Sequence, residues 1–300
     1  MADLLNVQGV YAAVLVPRFP NGKLDARAFR AILEFLRARS LTKVVVNGAT
    51  GEYCLTTPAE LAQMLAICRE TLHGGEVLCS IGAAGLPGCL ELGRIAMEQG
   101  ARALLLPMPH FFPYSQDDLR AFCTAVAASL DAPVLLYNLP RFTTPLELET
   151  VRALIDAVPN IIGIKDSSGS LTILGGLRPG ACRIVGDDSV LVPALEAGLC
   201  DAVVSGVAGV LPELTTLLFE ERNSAAYPQA AQLLTELICQ LSAFPVPWGL
   251  KLIAEFRGII PAWFSQPLSA LRAAQADDLR GWFPGWWQRC ESTLATTTNR

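Results

Sequence analysis

Short apolar runs alternate with amphipathic stretches along the first 220 or so residues. Eight runs stand out: 10–16 (VYAAVLV), 43–47 (KVVVN), 76–81 (EVLCSI), 102–107 (RALLLP), 133–138 (PVLLYN), 161–165 (IIGIK), 183–186 (RIVG) and 202–206 (AVVSG). Each is too short for a helix and rich in Val, Ile and Leu, which suits a strand buried on both faces. Helical signals lie between them. Phe29, Ile32, Leu33 and Leu36 fall at i, i+3, i+4 and i+7, one apolar stripe, with Arg30, Glu34 and Arg37 turned elsewhere. Thr57-Pro58-Ala59-Glu60 and Thr144-Pro145-Leu146-Glu147 have the form of capping boxes with Pro at the first helical position. Ser115, ahead of Gln116-Asp117-Asp118, marks a third helix start. Eight strand–helix repeats predict an α/β chain folded as a (β/α)8 barrel. A doubly wound sheet is the runner-up, but its dinucleotide fingerprint is missing.

The alternation stops near residue 226. Segments 228–241 and 248–256 are predicted helices, apolar enough to dock on the barrel or on another subunit. No Gly/Ser-rich linker precedes them. The chain is therefore read as a barrel over 1–225 and a helical extension over 226–300, working as one unit. The last residues, 295–300, have the composition of a frayed end.

Composition narrows the picture. Of 300 residues, 52% are hydrophobic and 17% charged, with a net charge of −5, which excludes disorder and offers no cationic surface for nucleic acid. No apolar run approaches the roughly 18 residues of a membrane span. The first residues carry Asp3 and no basic stretch, unlike a signal peptide. The nine cysteines are odd in number and scattered without a C-x-x-C pair, so buried thiols in a reducing cytoplasm are expected rather than zinc or disulfides. With two histidines and no ligand-spaced cluster, neither a metal nor another cofactor is expected.

In a barrel, reactive groups belong at the C-terminal ends of the strands. The chain has only four lysines (23, 43, 165 and 251), and Lys165 ends the sixth run. Burial there favours the neutral amine. A neutral amine attacks a ketone to give an iminium, an electron sink for making or breaking a carbon–carbon bond. A strand-end lysine paired to a carboxylate is the plainer alternative. Tyr137 closes the preceding strand, where its phenol would reach Lys165 as proton donor or acceptor. The loop GATGE at 48–52 follows the second strand. Its glycines let backbone N–H groups approach a carboxylate, and Thr50 adds a hydroxyl.

Together these residues resemble the dihydrodipicolinate synthase/N-acetylneuraminate lyase family of pyruvate-dependent class I aldolases. GATGE at 48–52 matches the family's G-x-x-G-E, YNLP at 137–140 its Y-N-x-P, and GIKDSSG at 163–169 its G-x-K-x-x-S-G. GDD at 186–188 and SGVAGVLPE at 205–213 extend the match, which spans about residues 8–260. The resemblance implies that Lys165 forms a Schiff base with a 2-oxo acid such as pyruvate and that Tyr137 relays protons. Thr50, with Ala49, Gly51 and the loop amides, would hold the carboxylate, and Val204 would line the pyruvate pocket. It also implies a homotetramer.

The chain departs from the family at three places. Ala49 stands where the family usually has a hydroxyl residue. Phe111 aligns near a tyrosine that reaches in from a neighbouring subunit. Phe142 stands where the synthase has an arginine for the second substrate's carboxylate, with Arg141 one residue early. These departures point to an aldolase of 2-oxo acids or 2-keto-3-deoxy sugar acids rather than a true dihydrodipicolinate synthase. A dehydratase on the same Schiff base and a non-catalytic 2-oxo acid binder are the rivals. His110, beside Phe111, is a candidate proton donor near neutral pH. Asp187, with Asp188, is a candidate for substrate hydroxyls, or else a helix N-terminal acid.

Overall fold

The structure, a computed structural model, describes residues 7–296. Eight parallel strands close into a barrel in chain order: β1 (Gly9–Ala13), β2 (Val44–Val46), β3 (Val77–Ser80), β4 (Ala103–Pro107), β5 (Val134–Asn138), β6 (Ile161–Asp166), β7 (Cys182–Val185) and β8 (Ala202–Ser205). β8 returns to pair with β1, so no edge is left open. All eight predicted runs are strands, and the (β/α)8 (TIM) barrel is the fold. The observed strands are shorter than the runs, because the remaining residues of each run turn into the loops above and below the barrel.

Side chains alternate between the two faces of each strand. Leu105, Leu135, Tyr137, Ile184 and Val204 point inward and fill the barrel, with Tyr11 and Val45 among them. Their neighbours Leu104, Leu106, Val134, Leu136, Ile164 and Val203 point outward against the surrounding helices. This two-sided burial explains why the runs look continuously apolar. Seven helices follow the first seven strands: α1 (Ala26–Arg37), α2 (Pro58–Leu72), α3 (Leu86–Glu98), α4 (Gln116–Ser129), α5 (Leu148–Ala157), α6 (Thr172–Gly176) and α7 (Leu191–Glu196). α8 (Pro212–Glu220) follows β8. The stripe on α1 is fully buried as expected.

Thr57 caps α2 in a complete capping box with Glu60, and Ser115 caps α4 in one closed by Asp118. The proposed box at Thr144 does not form. α5 begins four residues later, with Glu147 at its N-cap. Thr144 Oγ1 instead accepts from the Tyr114 N–H at 3.1 Å, and Asn138 Oδ1 takes the Leu146 N–H at 3.0 Å. Tertiary partners thus claim the groups that a local box would have used.

Beyond the barrel, α9 (Tyr227–Leu241) and α10 (Trp248–Phe256) lie where predicted, and a third helix, α11 (Ala270–Ala295), follows. α11 was not foreseen, because Gly281, Pro284 and Gly285 interrupt its sequence. Packing overrides the breakers: Phe283 and Trp286 are buried, and Trp286 Nε1 donates to the Leu233 carbonyl of α9 at 3.1 Å. Arg257, at the end of α10, grips Glu213 of α8 with two hydrogen bonds of 2.9 and 3.0 Å. Part of the predicted frayed end, 297–300, lies outside the described residues. Among the described residues, no helix is long and apolar enough to cross a membrane.

Candidate active site

Lys165 and Tyr137 face each other in the β5–β6 register at the C-terminal end of the barrel. Both side chains point inward, because each continues the inward alternation of its strand. Gly163, two residues before Lys165, lets β7 come close. A Cβ at Gly163 would stand 2.1 Å from the Cys182 carbonyl oxygen. Lys165 is 3% exposed, and its Nζ stands 3.6 Å above the centre of the Tyr137 ring. It donates to Ser167 Oγ at 3.1 Å, and Ser167 in turn donates to the Gly186 carbonyl at 3.0 Å.

Burial pulls Lys165 down to about 7, while Asp188 and, more weakly, Asp166 and Asp187 hold it up. An amine so placed is neutral for a large fraction of the time near pH 7 and is available as a nucleophile. Asp166 is tied to Asn138 Nδ2 at 2.9 Å and to Ser168. Asp188 Oδ2 accepts from the Val207 N–H at 3.2 Å. Burial pushes the Asp188 carboxyl up to about 6. Tyr137 is held well above the ordinary phenol range by burial, with a hydrogen bond to Ser167 and the Ala49 backbone working the other way.

Thr50 and Ala49 approach from the loop after β2. This loop is a tight turn in which the Gly51 N–H bonds the Gly48 carbonyl (3.0 Å) and the Glu52 N–H bonds the Ala49 carbonyl (2.9 Å). Glu52 then sits in the left-handed region (φ 52°). Its carboxylate receives Lys251 Nζ of α10 at 2.5 Å and Ser265 Oγ at 3.0 Å. Both partners of this ion pair are nearly buried, so the loop is pinned to the C-terminal helices. Gly206, after β8, lies against the same spot. A Cβ there would be 3.5 Å from Thr50 Oγ1 and 3.9 Å from Asp188 Oδ2.

These groups line one cavity of about 410 Å³. Lys165, Tyr137, Ala49, Thr50, Val204 and Asp187 all border it, and so does Arg141 at its mouth. Arg141 is mostly exposed, 4.0 Å from Asp187 Oδ2. Phe142 borders the cavity beside it. The far wall is apolar and comes from α9, α10 and the segment between them: Ile238, Leu241, Phe244, Val246 and Leu250. Three sequence candidates lie elsewhere. The Gly51 N–H is committed to its own turn, and the residue is not among those lining the cavity. Phe111 points into solvent, 84% exposed, with φ +88°. His110 packs edge-on against Tyr53 with ring centres 5.8 Å apart.

Asp188, paired with Asp187 as a sequence candidate, borders the cavity too. Ser167 was not singled out as a site residue by sequence, and only its spacing of two from Lys165 signalled it. Among the described residues, no group of three His, Cys, Asp or Glu side chains stands together as a metal donor set.

Comparison with known proteins gives the family. The model of the dihydrodipicolinate synthetase family matches residues 6–281. A 4-hydroxy-tetrahydrodipicolinate synthase of a Nitratiruptor species is 31% identical over 253 residues, 80% of this chain and 85% of the relative. One of Nitratidesulfovibrio vulgaris is 29% identical over 289 residues, 92% of this chain and 97% of the relative. The solved 4-hydroxy-tetrahydrodipicolinate synthase of Methylacidiphilum fumariolicum SolV superposes with a TM-score of 0.85 at 26% identity, covering 97% of this chain and 98% of that one. With an inward lysine and tyrosine side by side on β5 and β6 and a family match over nearly its whole length, the chain belongs to the dihydrodipicolinate synthetase family, whose members are aldolase-type lyases.

Proposed function

We propose that this enzyme forms a Schiff base between Lys165 and pyruvate or another 2-oxo acid and makes or cleaves the adjacent C–C bond. The observation that carries the reading is a buried lysine held near 7 beside a buried tyrosine at the mouth of the barrel. The neutral amine attacks the keto carbon. Tyr137 protonates the oxygen that leaves as water. Thr50, through Oγ1 and its own N–H, meets the carboxylate, and Val204 flanks the methyl end. The resulting iminium withdraws electrons from C3, which is where the bond forms or breaks.

For the partner molecule we favour a 2-oxo acid or 2-keto-3-deoxy sugar acid aldolase over 4-hydroxy-tetrahydrodipicolinate synthesis. Phe142 and Ala49 leave the cavity with fewer polar groups at two places, and Asp187 and Asp188 offer acceptors for hydroxyl groups. The synthase activity for which the relatives are named is the alternative outcome of the same substrate panel. Borohydride trapping with pyruvate, read by intact mass, tests the Schiff base. An adduct that is absent, or that persists in Lys165→Ala, overturns it. On a panel of aldehydes and sugar acids, pyruvate release supports the aldolase. Formation of 4-hydroxy-tetrahydrodipicolinate supports the synthase, and water loss with an intact skeleton a dehydratase.

The barrel and helical extension act together in this reading, since both supply walls of the cavity. Exposed Phe111 and Phe112, packed edge-to-face at 4.8 Å, support a homo-oligomer, which we propose to be a tetramer. A solved dihydrodipicolinate synthase variant of the same fold (TM-score 0.85) is described as monomeric, so sedimentation of this chain decides the point. Nine unpaired thiols support action in a reducing cytoplasm.

A further inference from the structure

Beyond Lys165 and Thr50 the cavity changes character, and Gly206 marks the boundary. A Cβ there would stand 2.8 Å from Leu250 Cδ1, 3.5 Å from Thr50 Oγ1 and 3.9 Å from Asp188 Oδ2. A methyl of the far wall therefore lies directly beside the polar groups. The wall continues over Ile238, Leu241 and Phe244, and Val246 is its exposed member. It is packed in place. A Cβ on Gly249 would be 2.7 Å from Leu241 Cδ2 and 3.3 Å from Phe244 Cδ2, so both side chains lie against the start of α10.

Polar groups on this wall are spent on one another. Ser242 Oγ donates to the Cys239 carbonyl at 2.7 Å. The Phe244 N–H donates to the Leu241 carbonyl at 3.0 Å, and the Trp248 N–H to the Pro245 carbonyl at 2.7 Å. Pro245 and Pro247 carry no N–H. A hydroxyl laid along this surface gives up water and meets methyl and ring carbons in its place. The opposite lip is polar but small. Asp187 Oδ1 accepts from the Ser189 N–H at 3.0 Å and from Ser189 Oγ at 2.7 Å, and Asp187 Oδ2 faces Arg141. That lip suits the single hydroxyl that an aldol step leaves at C4.

Resting on the Schiff-base reading, we propose that the second substrate is an apolar aldehyde, so that the enzyme interconverts pyruvate and this aldehyde with a 4-hydroxy-2-oxo acid carrying an alkyl or aryl group on C4. In synthesis the enamine C3 attacks the aldehyde carbon and the C3–C4 bond forms. The C=O π pair moves to oxygen, which takes the proton that Tyr137 received from C3. Water then adds to the iminium and frees Lys165. Cleavage reverses each step. The polar end holds the pyruvate half, and the far wall takes the group on C4. Among the acids that the Schiff-base reading admits, this selects against the 2-keto-3-deoxy sugar acids.

Cleavage of two acids with the same seven-carbon skeleton tests the proposal. 4-Hydroxy-2-oxoheptanoate has no hydroxyl beyond C4, whereas the 2-keto-3-deoxyheptonate made from pyruvate and erythrose has three. The kcat/KM for pyruvate release is expected to favour the first by at least about 10-fold. Ile238→Asn should lower this ratio about 10-fold, and Val246→Ser, at an exposed position where the fold tolerates change, should lower it too. Intrinsic reactivity of the two acids cancels when wild type and variant are compared. A smaller preference in the wild type overturns the proposal, as does cleavage of neither acid or a ratio within twofold of wild type in both variants. Borohydride trapping with pyruvate separates the two levels. If wild type still forms the adduct, only the apolar substrate is overturned, and if it does not, the Schiff-base reading falls as well.

Discussion

Replacing Lys165 by methionine removes the charge that burial opposes while keeping a side chain of similar length over the Tyr137 ring. Lys165 titrates at about 7 in the folded chain against an ordinary 10.5. At 1.36 kcal/mol per pH unit, charging it in place costs about 5 kcal/mol. The attraction of the neighbouring aspartates is already contained in that figure, because it keeps the amine from falling further. The folded value lies below the unfolded one, so the unfolded chain holds more protons between pH 7 and 10.5. Stability therefore rises with pH across that window. At pH 6 nearly the whole cost is in force, and at pH 9.5 about 1.4 kcal/mol of it remains. Lys165→Met should stabilise the apo fold, by about 3 kcal/mol more at pH 6 than at pH 9.5. Urea unfolding followed by circular dichroism at the two pH values measures this. A variant less stable than wild type at pH 6, or a gain equal at both pH values, refutes the reasoning.

Asp188 is the strongest of the charges holding Lys165 up, so Asp188→Asn should move the midpoint of pyruvate trapping below that of the wild type. A midpoint that stays or rises contradicts the assignment. The Glu52–Lys251 pair is nearly buried, and Lys251→Met or Glu52→Gln alone should cost about 3–5 kcal/mol because each strands its partner. The double variant should cost less than the sum of the two, and additivity in urea unfolding would count against the pair. Gly163→Ala places a methyl against the Cys182 carbonyl and should lose more than about 4 kcal/mol or fail to fold. Gly281→Ala, on α11 with nothing within 4 Å, should gain up to about 1 kcal/mol by thermal unfolding.

The pattern of apolar residues determined the barrel. A strand buried on both faces leaves a continuous Val/Ile/Leu run, and eight such runs separated by helical stretches admit few closed arrangements. The short motifs likewise put Lys165, Tyr137 and Thr50 in one place, because strand ends converge at one mouth of a barrel. Local signals failed where distant partners competed. Tyr114 and Asn138 took the backbone and hydroxyl groups of the Thr144 segment, and aromatic packing carried α11 through its glycines and proline. Only the folded chain decided which charges surround Lys165 and how far burial lowers it. That balance depends on Asp188, from the loop after β7, and on exclusion of water by the helical extension.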